Sequence, residues 1–380
     1  FPARDLFTPL IEAGGEVRCF NPPRLDSPFG WFTRDHRKSI TVDRSIAFVS
    51  GLCAACRWTG HPERGIDPWR DTGVEVRGPA VAQIEAAFFQ IWNTIGAPVR
   101  ERPPLQRESA GDVSVMVVAS EPVRGGLYRL DQFIATVARQ RLWLTDAYYV
   151  ATPAYVEALR AAARDSVDVR LLVPGSSDLP LTQAFSRAGY RPLLEAGVRV
   201  FEWNGSMLHA KTAVADSRWS RVGSSNLNLS SWLANYELDL AMYHEGVARK
   251  MEQMYLDDLT NATEIVLSRR NRVRSTRPPR FPQLHSVRGS ASRAAASALR
   301  IGNTVTAALT NRRILGPSEA GMMTKFGVVL TALALIGLVF PRALAIPFAL
   351  LMGWIGIALL IKARKLRRRG TLDEEKPRSG

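Results

Sequence analysis

The sequence predicts an α/β fold built from two pseudo-symmetric halves, the first of them incomplete, followed by a C-terminal transmembrane helical hairpin. Three observations predict it: one motif string occurs twice, strand and helix patterns alternate before its second occurrence, and two uncharged apolar runs lie near the C-terminus. The halves are predicted at residues 1–96 and 113–264, with a linker rich in Pro and charge at 97–112. The remaining predicted segments are an Arg-rich linker with an amphipathic segment (265–322), the hairpin (323–364) and a cytoplasmic tail (365–380).

The duplication rests on two copies of the same three-part pattern. Each copy has a helix end with a Gly stop and a strand, then a His-x-Lys-x4-Asp string, then a turn of small residues. In the first copy the parts are "PLIEAGGEVRCFN" (9–21), "HRKSITVD" (36–43) and "SGLC" (50–53). In the second copy they are "PLLEAGVRVFEW" (192–203), "HAKTAVAD" (209–216) and "GSSN" (223–226). Because both copies keep the same order, the chain is predicted to be a duplicated α/β unit.

The two copies are unequal at their starts. Ahead of its repeat the second copy has strand and helix patterns in alternation: strands at 113–118, 142–150 and 168–175, and helices at 127–140 and 153–165. The first copy has no counterpart, so its half is expected to be an incomplete sheet, truncated at its start by one β-α-β-α-β stretch. A strand at 236–243 and a helix at 246–262 are predicted to close the second half.

The repeated His-x-Lys string predicts a site for phosphoryl transfer. Residues i and i+2 of a strand face the same way, so His36 with Lys38, and His209 with Lys211, would each present an imidazole beside an ammonium. Folding the halves together about a pseudo-twofold axis would bring these four groups to one place. The lysines would stabilise charge on phosphate oxygens, one imidazole would attack phosphorus, and the other would transfer the proton. Neither a metal nor a cofactor is expected.

Further residues complete the predicted site. Asp43 and Asp216 belong to the catalytic motif, but their odd spacing from the histidines predicts a structural role, binding backbone groups near the turn. Glu237 is predicted to orient the imidazole of His209, and Asp71 that of His36. Phosphate oxygens are expected to be bound by the turn residues Ser224, Ser225 and Asn226.

These motifs resemble those of the phospholipase D superfamily, and more narrowly those of bacterial cardiolipin synthases of the phospholipase D type. The matching stretches are "HRKSITVDRSIAFVSG", "WRDTGVEVRGPAV", "LLVPGSSDLP", "LHAKTAVAD" and "VGSSNLNLSSWLANYELDL". The resemblance implies two phospholipase D-like α/β sandwich halves. It also implies a phosphatidyltransferase that joins two phosphatidylglycerol molecules into cardiolipin and releases glycerol, through a phosphatidyl-histidine intermediate. His36 is then the implied nucleophile and His209 the acid and base, with the reverse order left open.

The first copy departs from the family pattern, which has Gly-Gly-x-Asn where this chain has Ser50-Gly51-Leu52-Cys53. Cys53 in place of the Asn removes an amide that would hold phosphate or fix the turn, so activity is expected to be lower or its specificity shifted. Two alternatives remain open at this point. One is a phospholipase D hydrolase or a nuclease of the same superfamily, and the other is a catalytically weak membrane scaffold.

The C-terminal part of the sequence predicts attachment to a membrane. Of the net charge of +15, much lies between Arg269 and Arg313, where eleven Arg occur without Lys, Asp or Glu. Uncharged runs follow at 326–340 and 343–361, with basic residues at both ends of the pair. This pattern predicts a hairpin in the bacterial inner membrane with the active domain in the cytoplasm. The expected partners are phosphatidylglycerol and an anionic membrane surface; nucleic acid is not expected, and the site does not require an oligomer.

Overall fold

The structure is a computed structural model that describes residues 4–22, 33–99, 108–267 and 273–275, together with scattered positions between 328 and 364. The described residues of 4–20 and 33–275 pack as one compact unit that contains both halves. The other described residues belong to a second unit.

The first half contains a three-stranded antiparallel sheet among its described residues. Its elements in chain order are helix α1 (Arg4–Glu12), strands β1 (Ser39–Val42) and β2 (Ile46–Ser50), 3₁₀ helices at Cys56–Trp58 and Pro62–Arg64, strand β3 (Gly73–Arg77) and helix α2 (Ala80–Ile95). The strand predicted after Gly15 is not formed. In the second half the matching segment is a strand because it pairs on both sides, whereas the described part of the first half provides no such neighbours.

The second half contains a nine-stranded mixed sheet. Its strands are β4 (Ser114–Ser120), β5 (Arg141–Thr145), β6 (Asp168–Pro174), β7 (Arg199–Trp203), β8 (Thr212–Ala215), β9 (Trp219–Gly223), β10 (Glu237–Tyr243), β11 (Ala262–Leu267) and β12 (Val273–Ser275). Its helices are α3 (Gly126–Val137), α4 (Pro153–Arg164), α5 (Pro180–Glu195), α6 (Leu229–Leu233) and α7 (Glu245–Thr260). The spatial order is β12-β11-β7-β6-β5-β8-β9-β10-β4, in which β5, β6 and β7 are parallel and the other pairs antiparallel. The predicted strands and helices of this half are confirmed, while β11 and β12 extend it past the predicted boundary at residue 264.

Helix α4 shows how the sequence specifies these elements locally. The Thr152 side chain accepts a hydrogen bond from the backbone N–H of Tyr155, and Pro153 occupies the first helical turn, where its missing N–H costs nothing. Tyr155, Leu159 and Ala162 recur at helical spacing and are buried against the sheet. The helix therefore covers the parallel strands that lie at the centre of the second half.

The two halves share a hydrophobic core. Ala47 and Val49 of β2 and Ile84 of α2 are buried in one cluster with Leu238 and Leu240 of β10. Because both sheets contribute to this cluster, the start of β10 lies against the first half. The shared core thereby brings the ends of the two motif-bearing segments together.

The motif repeat is also a repeat of conformation. In the turn from β1 to β2, Asp43 and Arg44 have φ of 49° and 55°. In the turn from β8 to β9, Asp216 and Ser217 have φ of 51° and 54°. Two successive left-handed residues, which are uncommon outside glycine, thus occur at matching positions of the two hairpins.

Strand register defines which carboxylates are equivalent. Ser50 lies opposite Gly73, and Gly223 lies opposite Asp239. Since Asp71 precedes Gly73 by two residues and Glu237 precedes Asp239 by two, these two acidic residues occupy the same place in the two halves.

The C-terminal prediction is only partly covered by the structure. The described positions between 328 and 364 are helical apart from Phe340. Among the described positions, the structure contains no helix that combines the length and apolar character needed to cross a bilayer. The hairpin at 323–364 therefore stays a prediction. The tail at 365–380 and most of the linker at 265–322 lie outside the described residues.

Candidate active site

Two short parallel bridges connect the halves and build the site. In one bridge Asp35 pairs with Tyr236, and the His36 backbone N–H donates to the Tyr236 carbonyl at 2.9 Å. In the other, Leu208 pairs with Arg70, and the His209 N–H donates to the Arg70 carbonyl at 2.7 Å. In each bridge the segment before a histidine of one half pairs with the segment before a carboxylate of the other half.

The bridges place each imidazole beside the carboxylate that belongs to the opposite half. His36 Nδ1 lies 2.9 Å from Glu237 Oε2 and 3.0 Å from Oε1. His209 Nδ1 lies 2.8 Å from Asp71 Oδ2. The predicted pairing of Glu237 with His209 and of Asp71 with His36 is therefore wrong. The partners are exchanged because the segments bearing the histidines pair across the pseudo-twofold axis, so neither half contains a complete pair.

Electrostatics favours neutral imidazoles beside ionised carboxylates. Burial, reinforced by the Lys211 charge, lowers the pKa of His209 to about 3, and burial also lowers the pKa of His36 against the opposing effect of Glu237. Burial alone would raise the pKa of Asp71, but the hydrogen bond with His209 and the Lys211 charge outweigh it and hold this pKa below its ordinary value. Burial would likewise raise the pKa of Glu237, but its interactions with His36, Lys38 and Ser224 together outweigh burial and lower it. With Nδ1 bound to a carboxylate, Nε2 is the nitrogen left for chemistry.

The two lysines take the same local geometry. Lys38 Nζ donates to the His36 backbone carbonyl at 2.6 Å, and Lys211 Nζ donates to the carbonyl of His209. Lys211 Nζ also lies 3.0 Å from His209 Nδ1, and burial lowers the pKa of Lys211 to about 8. Each lysine is thus held beside its own histidine, as the i, i+2 spacing predicts. The residues that present them lie just before β1 and β8, outside the strands themselves.

Two of the three predicted turn residues bind buried carboxylates, and the third lines the cavity. The Ser224 hydroxyl donates to Glu237 Oε2 at 2.6 Å, and the Ser225 hydroxyl donates to the carboxylate of Asp239. These two hydroxyls hold buried carboxylates, so the expectation that they bind phosphate is wrong for the side chains. Asn226 does line the cavity beside the histidines, and its buried Oδ1 has no hydrogen-bond partner among the described residues.

The motif aspartates lie at the far ends of the hairpins, away from the imidazoles. The Asp216 carboxylate accepts the backbone N–H groups of Arg139, Gln140 and Arg141 at 2.9, 2.8 and 3.0 Å. This arrangement ties the β8–β9 turn to the start of β5, which agrees with the structural role expected of Asp216. Asp43 occupies the matching place in the β1–β2 turn and is exposed.

A cavity of about 350 Å³ opens beside both histidines. Three aromatic rings lie around His209, with ring centroids at 5.1 Å for Trp58, 5.6 Å for Trp69 and 5.9 Å for Tyr148. The His36 side chain is 29% exposed, whereas that of His209 is 6% exposed. Both imidazoles therefore border the same cavity, and His36 is the more open of the two.

Polar groups on the cavity wall were missed by the sequence reasoning. Arg57 lies over the Trp69 ring at 4.9 Å, and its Nη1 lies 3.2 Å from Asp178 Oδ2. The Tyr148 hydroxyl donates to Asp178 Oδ1 at 2.8 Å. A sequence signal that could have pointed to this wall is the Trp-Arg-Asp run at 69–71, in which an aromatic residue precedes Asp71 by two positions. A guanidinium beside two imidazoles suits an anionic phosphate substrate.

A buried acid behind Lys211 was also missed. Asp146 accepts the backbone N–H groups of Leu227 and Tyr148 at 2.6 and 2.9 Å, which fixes the loop after the second turn to the end of β5. Burial raises the pKa of Asp146 to about 7, against the opposing effects of these hydrogen bonds and of Lys211. Its position one residue beyond a buried strand carried no motif that would have singled it out.

Comparison with known proteins agrees with the geometry. Residues 133–259 match the family model described as "Cardiolipin synthase, PLD-like domain". Cardiolipin synthase of Alkalihalophilus pseudofirmus is 32% identical over 269 residues, which cover 68% of this chain and 53% of that relative. Cardiolipin synthase A of Pseudomonas fluorescens is 34% identical over 269 residues, covering 67% of this chain and 54% of the relative. The chain thus spans about half the length of these curated relatives.

A solved structure shares the fold. Phosphatidylserine synthase of Haemophilus influenzae Rd KW20 superposes with a TM-score of 0.53 at 13% identity, covering 68% of this chain and 69% of that one. Taken with the duplicated motif and the paired histidines, the family match and the curated relatives show a phospholipase D-like domain at residues 133–259. This domain is of the cardiolipin synthase type.

Proposed function

We propose that this protein is a phosphatidyltransferase that forms cardiolipin from two phosphatidylglycerol molecules and releases glycerol. The observation that carries the proposal is the pair of His–carboxylate contacts, His36 with Glu237 and His209 with Asp71, at one cavity. Similarity to cardiolipin synthases over two thirds of the chain supports the lipid substrate.

The chemistry follows from the two imidazoles. His36 Nε2 attacks the phosphorus of the first phosphatidylglycerol, the bond from phosphorus to the glycerol headgroup breaks, and His209 donates its Nε2 proton to the departing oxygen. The hydroxyl of a second phosphatidylglycerol then attacks phosphorus and gives its proton to His209, while the phosphorus–nitrogen bond breaks. The greater exposure of His36 favours it as the nucleophile.

His209 must take up a proton from solvent on Nε2 before the first step, and substrate binding favours this uptake. In the empty site, burial and the lysine charges keep both imidazoles neutral. A phosphodiester bears a negative charge that offsets the lysines and raises the pKa of both histidines. Lys38 and Lys211 then stabilise the charge that develops on the phosphate oxygens. Asn226, which lines the cavity, is proposed to contact the headgroup.

The same proposal places the protein on a membrane. The uncharged runs at 326–340 and 343–361 and their basic flanks support attachment to the bacterial inner membrane. Apolar side chains described there are exposed, such as Leu338 at 80% and Leu350 at 70%. The full chain is expected to stay with the membrane fraction after washing at high salt and alkaline pH. Release into the wash would contradict this placement.

The direct test is to incubate the full chain in detergent with phosphatidylglycerol and to identify the products by mass spectrometry. Cardiolipin with free glycerol, lost in both His36→Ala and His209→Ala, is the expected result. Phosphatidic acid without cardiolipin would instead identify a hydrolase that uses water as the acceptor. Absence of any lipid product would contradict the proposal and favour a nuclease or a scaffold.

A further inference from the structure

The carboxylate that faces His36 receives a hydroxyl from its own turn. Ser224 Oγ donates to Glu237 Oε2 at 2.6 Å, and the Asn235 amide donates to Oε1 at 3.3 Å. Each oxygen of the carboxylate thus has a protein donor besides the imidazole. Glu237 is fully buried, so its orientation depends on protein donors rather than on solvent.

The equivalent turn in the first half cannot provide the same donor. By strand register Gly51 occupies the place of Ser224, just as Asp71 occupies that of Glu237. A Cβ atom added at Gly51 would collide with the Asp71 carboxylate, so a serine there would displace this carboxylate from its observed position. Asp71 therefore requires a donor from elsewhere.

That donor is the indole of Trp58, in the 3₁₀ helix Cys56–Trp58. Trp58 Nε1 donates to Asp71 Oδ2 at 2.8 Å, the same oxygen that contacts His209 Nδ1 at 2.8 Å. The other oxygen, Oδ1, accepts the backbone N–H of Thr72 at 2.8 Å. The indole also packs edge-on against the imidazole of His209.

We propose that Trp58 is a positioning residue of the His209 side, where its indole N–H holds Asp71 in place of the serine hydroxyl that holds Glu237 on the His36 side. The inference rests on the proposed function, since it treats Asp71 and His209 as a reacting pair. Trp58 lies in the segment between the turn at 50–53 and strand β3, outside the repeated pattern, so no repeat spacing singles it out.

The indole N–H also reduces the extent to which the negative charge of Asp71 raises the pKa of His209. The charged and titratable groups that face His209 are Asp71, Lys211, Lys38 and Tyr148. A hydrogen bond to the carboxylate draws off part of its negative charge, so less of it acts on the imidazole. Losing that donor would leave Asp71 more strongly basic and would raise the pKa of His209.

Trp58→Phe tests the proposal because it keeps the aromatic packing and removes only the N–H. The lost bond to a charged acceptor is expected to lower kcat about ten- to hundredfold with little change in KM. In the variant, His209 should begin to bind a proton about one pH unit higher than in the wild type. Imidazole ¹⁵N NMR of the full chain, recorded from about pH 8 to the lowest pH at which the protein stays folded, detects this shift. The His209 signal is assigned by its loss in His209→Gln.

Trp143→Phe is the matched control. Trp143 Nε1 donates to Asp168 Oδ2 at 3.0 Å, a buried indole bonded to a carboxylate that does not line the cavity. This variant should lose stability but leave kcat and the His209 titration unchanged.

The outcomes separate this inference from the proposed function. An unchanged His209 titration in Trp58→Phe would overturn the positioning role, whether or not kcat fell. If the wild type turned over no lipid, the proposed function would fail, yet a shifted His209 titration confined to Trp58→Phe would still support the role of Trp58 in holding Asp71.

Discussion

At the scale of single residues, the site depends on which ring nitrogen of each histidine carries a proton. Glu237 and Asp71 are ionised and lie against Nδ1, so each imidazole keeps its proton there and offers Nε2 to the cavity. A phosphoryl transfer with two histidines needs this tautomer in both, because one Nε2 must attack and the other must exchange a proton.

Replacing either carboxylate by its amide should disrupt this tautomer while keeping the shape of the side chain. Glu237→Gln and Asp71→Asn are each expected to lower kcat by up to about 10⁴-fold, since an amide that donates to Nδ1 favours the wrong tautomer. Steady-state turnover of phosphatidylglycerol measures the effect. Asp168→Asn, a carboxylate remote from the cavity, is the control and should keep wild-type kcat. Wild-type rates in either site variant would contradict the assigned roles.

At the scale of elements, the hairpin turns hold the strands that present the histidines. The Asp216 carboxylate accepts three successive backbone N–H groups ahead of β5, which joins the β8–β9 hairpin to its neighbour in the sheet. The same number of residues separates the His from the Asp in both strings. A short strand lies between them, with the imidazole near one end and the supporting turn at the other. The aspartate belongs to the motif because it stabilises the strand rather than because it reacts.

Asp216→Ala should therefore reduce stability and leave the chemistry intact. Loss of the acceptor for three amides, two of them on exposed residues, is expected to lower the free energy of unfolding by about 2–3 kcal/mol. Urea unfolding followed by circular dichroism gives this value, and kcat measured well below the unfolding midpoint should equal that of the wild type. A large fall in kcat without loss of stability would place Asp216 in the catalytic machinery after all.

The repeat predicted most of the elements and the identity of the four central residues, but not how the halves interlock. Spacing in one strand sets Lys38 beside His36 and Lys211 beside His209, and both are found. The exchange of Glu237 and Asp71 could not be predicted, because it depends on bridges between segments far apart in sequence. Trp58 was missed for a related reason: its partner Asp71 lies across a loop whose path no local pattern specifies.

At the scale of the whole molecule, burial of the site couples folding to pH. The folded protein keeps His209 neutral down to about pH 3, whereas a histidine in the unfolded chain binds a proton below about pH 6.5. Between these values the unfolded state holds one more proton, so the free energy of unfolding falls as the pH is lowered. The contribution is fully present above about pH 6.5 and is lost progressively below it.

His209→Gln should make the protein less sensitive to acid. Between pH 7 and 5 the wild type is expected to lose about 1–2 kcal/mol more unfolding free energy than the variant, because the variant lacks this titration. Urea unfolding of both proteins at the two pH values measures the difference. Equal losses would show that His209 titrates alike in the folded and unfolded chains.

The measurement that tests the two-histidine account most directly uses a phosphatidyl ester of p-nitrophenol, whose leaving group needs no proton. In His209→Ala, His36 should still attack phosphorus, so the account predicts a burst of about one p-nitrophenol per protein and a phosphatidyl group on the peptide that contains His36. His36→Ala should give no burst. A burst in His36→Ala with the phosphatidyl group on His209, or no burst in either variant, would contradict the assignment of His36 as nucleophile and His209 as acid and base.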